Sequence, residues 1–441
     1  MVTRIYRGAV FILLLVILLP GYPRALVLGR VVNVQAWASV LLLFLLGGHF
    51  AIRHGKSVYI LFLLALFLWA GLLGYVNGGD LRFARNHAFA FAPFIIAFLL
   101  LELDVGTSFR TALFWLTLCG AVGAIAANAI HVFHPELLGI LLKDEDKATG
   151  IINLGRVGWA GYIVTLPVIA QLGFLDMYSR RQRLIMLTCI PIVLAGALLT
   201  FSRTLTVALV VLLAYLLYAN RRKLGLKGAA MLGLLGLAGS YFIAWWETIN
   251  PALIDLINNR IVSFFSGSSD ISTDVSGRMI LYGEYLERLK SSYMLGQGIG
   301  VPVSTAFGDA TWADVTLVTF AVPFGVFGLA LFVLFLKRLY ARITTTIDDQ
   351  RVRRLFTLVF VLGLAISLND DIWSHKFFVV YLVFLVNSYR LERVATGWRT
   401  GSDGTRRRLL GSYALHHQHA SRAAGAGRSG VIARDGDSNP S

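Results

Sequence analysis

An all-helical, polytopic membrane protein is the fold class this sequence predicts, and three observations predict it. Of 441 residues, 57% are apolar and only 15% charged, with a mean hydropathy of +0.70. A soluble domain runs nearer ~45–50% apolar and ~25% charged, so so few charges do not solvate a globule of this size. Apolar stretches separated by short charged loops recur along the chain. The basic residues then sort to one side of those stretches. Together these exclude a cytosolic enzyme, a disordered chain and a disulfide scaffold. The two cysteines, Cys119 and Cys189, fall inside apolar runs and read as buried thiols. The histidines are scattered, except for His416-His417-Gln418-His419 near the end of the chain.

Twelve spans are expected, at 8–27, 33–52, 57–75, 87–103, 110–131, 157–175, 184–200, 204–220, 228–246, 314–336, 355–369 and 374–390. The first follows Arg4 and Arg7 and resembles a signal peptide. No small-residue cleavage site follows it, and Pro20, Gly21 and Pro23 interrupt instead, so it reads as an uncleaved helix. The last two are shorter than the ~20 residues of a typical span. Tilt, local thinning and snorkelling Lys/Arg ends accommodate that.

The positive-inside rule tests this topology. With the N-terminus in the cytoplasm, 27 of the 40 Lys and Arg lie inside and 13 outside. Acids divide 9 inside and 15 outside, giving +18 inside and −2 outside. The overall charge of +16 is therefore a topology signal and requires no nucleic-acid partner. Both termini are expected in the cytoplasm. Residues 1–396 form the membrane domain. The remainder, 397–441, is polar and rich in Gly, Ser and Arg, and is expected to be a disordered basic tail.

The longest interruption, 247–313, falls outside. Long loops in compact proteins are usually functional, which puts any chemistry on the outer face. Within this loop Ser276-Gly277-Arg278 opens an amphipathic segment running to Ser291, with Ser276 as its N-cap and Leu281, Tyr285 and Leu289 on one stripe. A cation such as Arg278 gains nothing from the dipole of a first helical turn, so its place there suggests an anionic partner. The competing reading is a pairing with a loop carboxylate.

Thr200-Phe201-Ser202-Arg203 joins two spans with almost no loop. An arginine at membrane depth is costly without a partner, and lipid phosphate is the nearest anion. Arg82, Arg85, Arg156, Arg260 and Arg288 also lie outside; each singly reads as an interface anchor. As a group they concentrate guanidinium groups suited to bidentate phosphate binding. Gly296-Gln297-Gly298-Ile299-Gly300 reads as a flexible turn before the tenth span, or else as a close backbone approach to a ligand. Asp314, at the mouth of that span, is either a general base or a structural counter-ion. Asp309, Asp370 and Asp371 are further carboxylates on the outer face, and Asn369-Asp370-Asp371 also reads as a helix terminus.

This pattern resembles the O-antigen ligase/polymerase superfamily of bacterial envelope glycan enzymes. The residues that carry the resemblance are Ser202-Arg203, Ser276-Gly277-Arg278, the Gly298/Gly300 turn, and Gly325 and Gly328 in the segment from Asp314 to Leu329. It covers roughly residues 8–390. In that family a His-Asn pair precedes the closing glycines. Here Asp314 and Val315 occupy those places, which tilts the expectation from ligase to polymerase.

The resemblance implies a GT-C-like bundle in the bacterial inner membrane. It implies a metal-independent glycosyltransferase that joins undecaprenyl-pyrophosphate-linked repeat units into O-antigen or exopolysaccharide, with no cofactor. Arg203 and Arg278 would bind the pyrophosphate and offset the charge that grows on it as it leaves. Asp314 would take the acceptor proton, and Arg156, Arg82, Arg85, Arg260 and Arg288 would bind substrate. The implied partners are the lipid-linked oligosaccharide and the bilayer, together with a chain-length regulator and a flippase. A ligase is the alternative within the family. A transporter is the alternative of another class, against which stand the absence of an internal repeat and spans nearly free of mid-membrane charge.

Overall fold

The computed structural model describes residues 2–18, 24–27, 30–52, 57–102, 108–133, 164, 179–198, parts of 204–219, 282–301, 315–368, 371–373, 375 and 378–400. Its helices are α1 (Val2–Ile17), α2 (Val34–Ile52), α3 (Ser57–Val76), α4 (Leu81–Glu102), α5 (Phe109–Phe133) and α6 (Arg180–Leu198). They continue with α7 (residues 282–291), α8 (Thr316–Thr346), α9 (Gln350–Ile366) and α10 (Val379–Thr400). Two compact units are present, Met1–Arg390 and Leu391–Ser441; of the second, only residues 391–400 are described, and they are helical.

This is a helical protein of the kind a membrane accommodates. Of its described helices, α8 is long and apolar enough to cross a bilayer by itself, and several shorter apolar helices accompany it. Apolarity extends to both faces. In α3, Leu63, Leu66 and Ala70 are buried at helical spacing, yet Leu61, Leu64, Leu68 and Leu72 on other faces are more than half exposed. A helix in water would place polar residues there; one against lipid has no need to. The expected spans at 157–175 and 228–246 lie outside the described residues, apart from a helical Val164.

The first expected span needs correction. Its helix ends at Ile17, and Arg24–Val27 instead pairs antiparallel with Arg30–Asn33 as strands β1 and β2. Pro20 and Pro23, which lack amide protons, cannot continue a helix interior, and Gly21 weakens it further. At the other extreme, α10 runs through Thr400, past the expected end of the last span at 390 and past Gly397. The expected disordered tail lies otherwise outside the described residues.

Side-chain contacts join several helix ends. At one end, Tyr6 of α1 stacks on His49 of α2, with ring centroids 5.1 Å apart. At the end where α4 finishes, Glu102 pairs with Arg338 of α8 at 2.9 Å, and that guanidinium also sits 5.6 Å from the Phe98 ring. Asn387 of α10 donates to the Leu100 carbonyl, and Tyr389 meets Phe109 edge-on. These ends belong to segments that the charge count places inside. An aromatic core joins α4 to α8: Phe91 lies 4.4 Å from Phe324 and 5.1 Å from Phe320, and Phe94 lies 4.6 Å from Phe320 and 4.8 Å from Phe335. Such edge-to-face pairs each add about 0.5–1.5 kcal/mol beyond their area. Trp373 closes the core among Phe332, Phe335, Phe360 and Phe378, with its indole N–H donated to the Gly363 carbonyl at 3.1 Å.

Candidate functional site

The site forms where α8 breaks. Pro323 has no amide proton to give its helix, and Gly325 takes φ +62° and ψ −147°, outside helical geometry. A break of this kind strands backbone groups, and buried backbone groups need partners. Residues 294–300 supply them. Gln297 N donates to Val322 O at 2.7 Å and Gly298 N to Pro323 O at 3.1 Å. Val326 N, which would meet the Val322 carbonyl in a regular helix, donates to Met294 O at 2.9 Å.

The same segment reaches two other helices. Ile299 N donates to Ala70 O of α3 at 2.8 Å, and Gly300 N donates to Nδ1 of His87 on α4 at 3.1 Å. In return Asp80 N donates to Gly300 O at 2.9 Å, and the Asn77 amide donates to Gln297 O at 2.8 Å. Four consecutive N–H groups, from Gln297 to Gly300, are therefore all given to protein acceptors. That corrects both readings of this glycine-rich segment. It is neither a flexible turn nor a backbone cradle open to a ligand. It is a staple joining α3, α4, α7 and α8.

Glycine is required here for space as well as angle. Gly296, Gly298 and Gly300 have φ of +92°, +92° and +98°. A Cβ on Gly298 would collide with Gly74 N and lie 2.5 Å from Gly74 Cα, and one on Gly296 would lie 2.6 Å from Gly325 N. The backbones of the two segments touch directly, and any side chain would separate them.

Helix α7 hangs from this staple. The expected stripe is borne out at Tyr285, which is buried against Val315, Val318 and Val322, and Leu289 is half-buried. Arg288 donates to Glu284 Oε1 from Nε at 3.1 Å and Nη2 at 2.9 Å, and from Nη1 to Gln297 Oε1 at 3.3 Å. Of the cations expected to bind substrate, Arg288 thus has its charge engaged by Glu284 and its fork fastened to the staple. Tyr282 donates its hydroxyl to Leu368 O at 2.7 Å, tying α7 to the end of α9.

Arg82 and Arg85 lie in the opening turns of α4, just after the Asp80–Gly300 hydrogen bond, so the staple brings their helix to α7 and α8. Arg156, Arg203, Arg260, Arg278 and Asp314 lie outside the described residues. Val315, next to Asp314, is the N-cap of α8 and makes no side-chain cap.

Two further residues, one of them unremarked in the sequence, belong to this end of the bundle. His87 is buried, and accepting the Gly300 amide requires the Nδ1 lone pair, which leaves the ring proton to Nε2. Nothing in the spacing of a single histidine at a span edge signals that role. Asp371, in the segment that follows the end of α9 and one of the carboxylates expected on the outer face, is buried and accepts a 2.8 Å hydrogen bond from Thr319 Oγ1 of α8. The one available signal was an acid beside a long apolar run.

No protein-family model matches this chain, and no curated protein matches it significantly. The class of protein that fold and site define is therefore a helical protein with the apolar surfaces of a membrane bundle, carrying a stapled helix break at one end.

Proposed function

We propose that this chain is an envelope polysaccharide polymerase of a bacterial inner membrane. It joins undecaprenyl-pyrophosphate-linked repeat units at the outer face, and both its termini are cytoplasmic. One observation carries the reading. Gly298 and Gly325, which carry the sequence resemblance from two distant segments, belong to two stretches of backbone in direct contact: Gly298 N bonds Pro323 O, and Gly296 abuts Gly325. A motif whose parts meet at one end of an apolar bundle, beside the helix bearing Arg82 and Arg85, supports surface chemistry on a membrane-borne anion better than transport through the bundle.

In this mechanism a hydroxyl of one lipid-linked unit attacks the anomeric carbon of the donor glycan. The bond to pyrophosphate breaks, and negative charge grows on the leaving group. Arg203 and Arg278 offset that charge, and Asp314 takes the hydroxyl proton. Preorganised cations aimed at developing charge are commonly the largest catalytic contribution. The staple's part is to hold α7, α4 and the start of α8 in one arrangement before the donor arrives.

The test is deletion of the gene followed by sizing of surface and lipid-linked glycan, with the parent chain, Arg203→Ala and Asp314→Ala as rescues. Single lipid-linked units without polymer are expected in the deletion and in the Arg203→Ala strain. Full-length polymer with Arg203→Ala would sink the arginine's role. Normal-length polymer stranded on its carrier would indicate a ligase, and units trapped on the cytoplasmic side would indicate a flippase.

A further inference from the structure

Several helices of bilayer length stop at the level of the staple. A helix rises 1.5 Å per residue, and the hydrocarbon core of a bilayer is about 30 Å thick. Helix α3 has 20 residues, about 30 Å, and its last turns pack on Ile299 and Gly298. Helix α8 has 31 residues, about 46 Å, which is too long. Its break falls at the staple, and on the far side the apolar run from Val326 to Leu336 leads to Lys337 and Arg338, the inner end by the charge count. Helix α4 begins at Leu81, beside the Asp80–Gly300 bond, and α9 ends just before Leu368, where Tyr282 is tied.

Large apolar and aromatic residues are exposed at this level, beside the exposed polar residues Asn77, Asp80 and Ser291. Tyr75, Val76 and Leu81 are 86%, 78% and 87% exposed, and Tyr293 is 88% exposed. Met294, Leu295 and Leu368 are exposed too. Tyr293 and Met294 also hold left-handed backbone, with φ of 50° and 62°. Gly or Asn takes that conformation cheaply; Tyr and Met do so at a cost. A turn facing water gains nothing by presenting a tyrosine and a methionine from strained backbone. A turn facing the headgroup boundary does, since tyrosine favours that layer and methionine favours the acyl chains below it.

We infer that residues 293–295 insert into the headgroup–acyl boundary of a phospholipid bilayer, with Tyr75, Val76 and Leu81 at the same depth. The stapled helix break then lies at the membrane surface. This goes beyond the proposed function and rests only on its membrane-spanning part. It holds whether or not the chain polymerises glycan.

The test is site-directed spin labelling of the full chain in vesicles of phosphatidylethanolamine and phosphatidylglycerol. Cys119→Ser and Cys189→Ser remove the native thiols, and single labels go on Tyr293→Cys, Met294→Cys and Tyr75→Cys. Leu68→Cys, exposed in the middle of α3, and Asp348→Cys, exposed between α8 and α9, give the deep and aqueous references. Labels at 293, 294 and 75 are expected to share one depth between the references, more accessible to oxygen than to a water-soluble nickel chelate. Nickel accessibility at 293 equal to that at 348 would overturn the insertion. A depth at 293 equal to that at 68 would overturn the assigned level. Disagreement of 75 with both 293 and 294, which lie on a different element, would overturn the common plane.

Discussion

Replacing Gly298 by alanine is expected to unfasten the staple while leaving the helices formed. The added methyl group would collide with Gly74 N and lie 2.5 Å from both Gly74 Cα and Leu73 C, so relief requires movement of backbone. Moving the segment away from α3 breaks Ile299 N to Ala70 O, and with it strains Gly298 N to Pro323 O and Gln297 N to Val322 O. Each hydrogen bond contributes about 1 kcal/mol net. Left-handed backbone at +92° costs an L-residue a further ~1–2 kcal/mol. Losing two of the three bonds and adding that strain gives about 3–4 kcal/mol, or roughly a few hundredfold in a local opening equilibrium. Hydrogen exchange followed by mass spectrometry reads this directly. Peptides covering 294–301 and 320–328 should exchange on the order of a few hundred times faster in Gly298→Ala, with helix content unchanged. Gly71→Ala and Gly120→Ala are the controls: a Cβ at either meets nothing within 4 Å, and both lie inside helices. They should be neutral or stabilise by up to about 1 kcal/mol. Exchange in Gly298→Ala within a few fold of the parent would refute the close-contact argument.

Two further perturbations follow from side-chain contacts at the same end. Thr319→Val removes the hydroxyl that donates to the buried Asp371 carboxyl and should cost about 1–3 kcal/mol, read as a lower Tm in detergent; Thr319→Ser should recover most of it. Arg288 and Glu284 side chains are each 17% exposed, so a double-mutant cycle with Arg288→Ala and Glu284→Ala should give a coupling of about 1 kcal/mol, well below that of a fully buried pair. A coupling near zero would mean that Gln297, and not Glu284, is what holds the guanidinium.

The helical class and most helix positions were legible because they depend on local composition. Uninterrupted runs such as 57–75 and 33–52 correspond to α3 and α2 within a residue or so. The first helix stops short of the expected span because apolar residues continue beyond Pro20 and Pro23 while a helical backbone does not. The stripe on α7 was legible at Tyr285, since helical spacing puts apolar residues on one face whatever they pack against.

Tertiary structure alone decided the partners. The glycine-rich segment carried a visible signal, but whether its amides faced solvent, a ligand or protein depends on Ala70, His87, Val322 and Pro323, at sequence distances no local pattern spans. Arg288 divides between the two: its i,i+4 pairing with Glu284 is local to the expected amphipathic segment, while its bond to Gln297 depends on where the staple lies. It holds again for Asp371, whose burial depends on where Thr319 of α8 lies. Composition and periodicity determined that this chain forms apolar helices, because those properties act over a few residues. Where a helix breaks and what fills the break is settled by backbone groups that must find partners across the fold. That requirement becomes visible only when the segments meet.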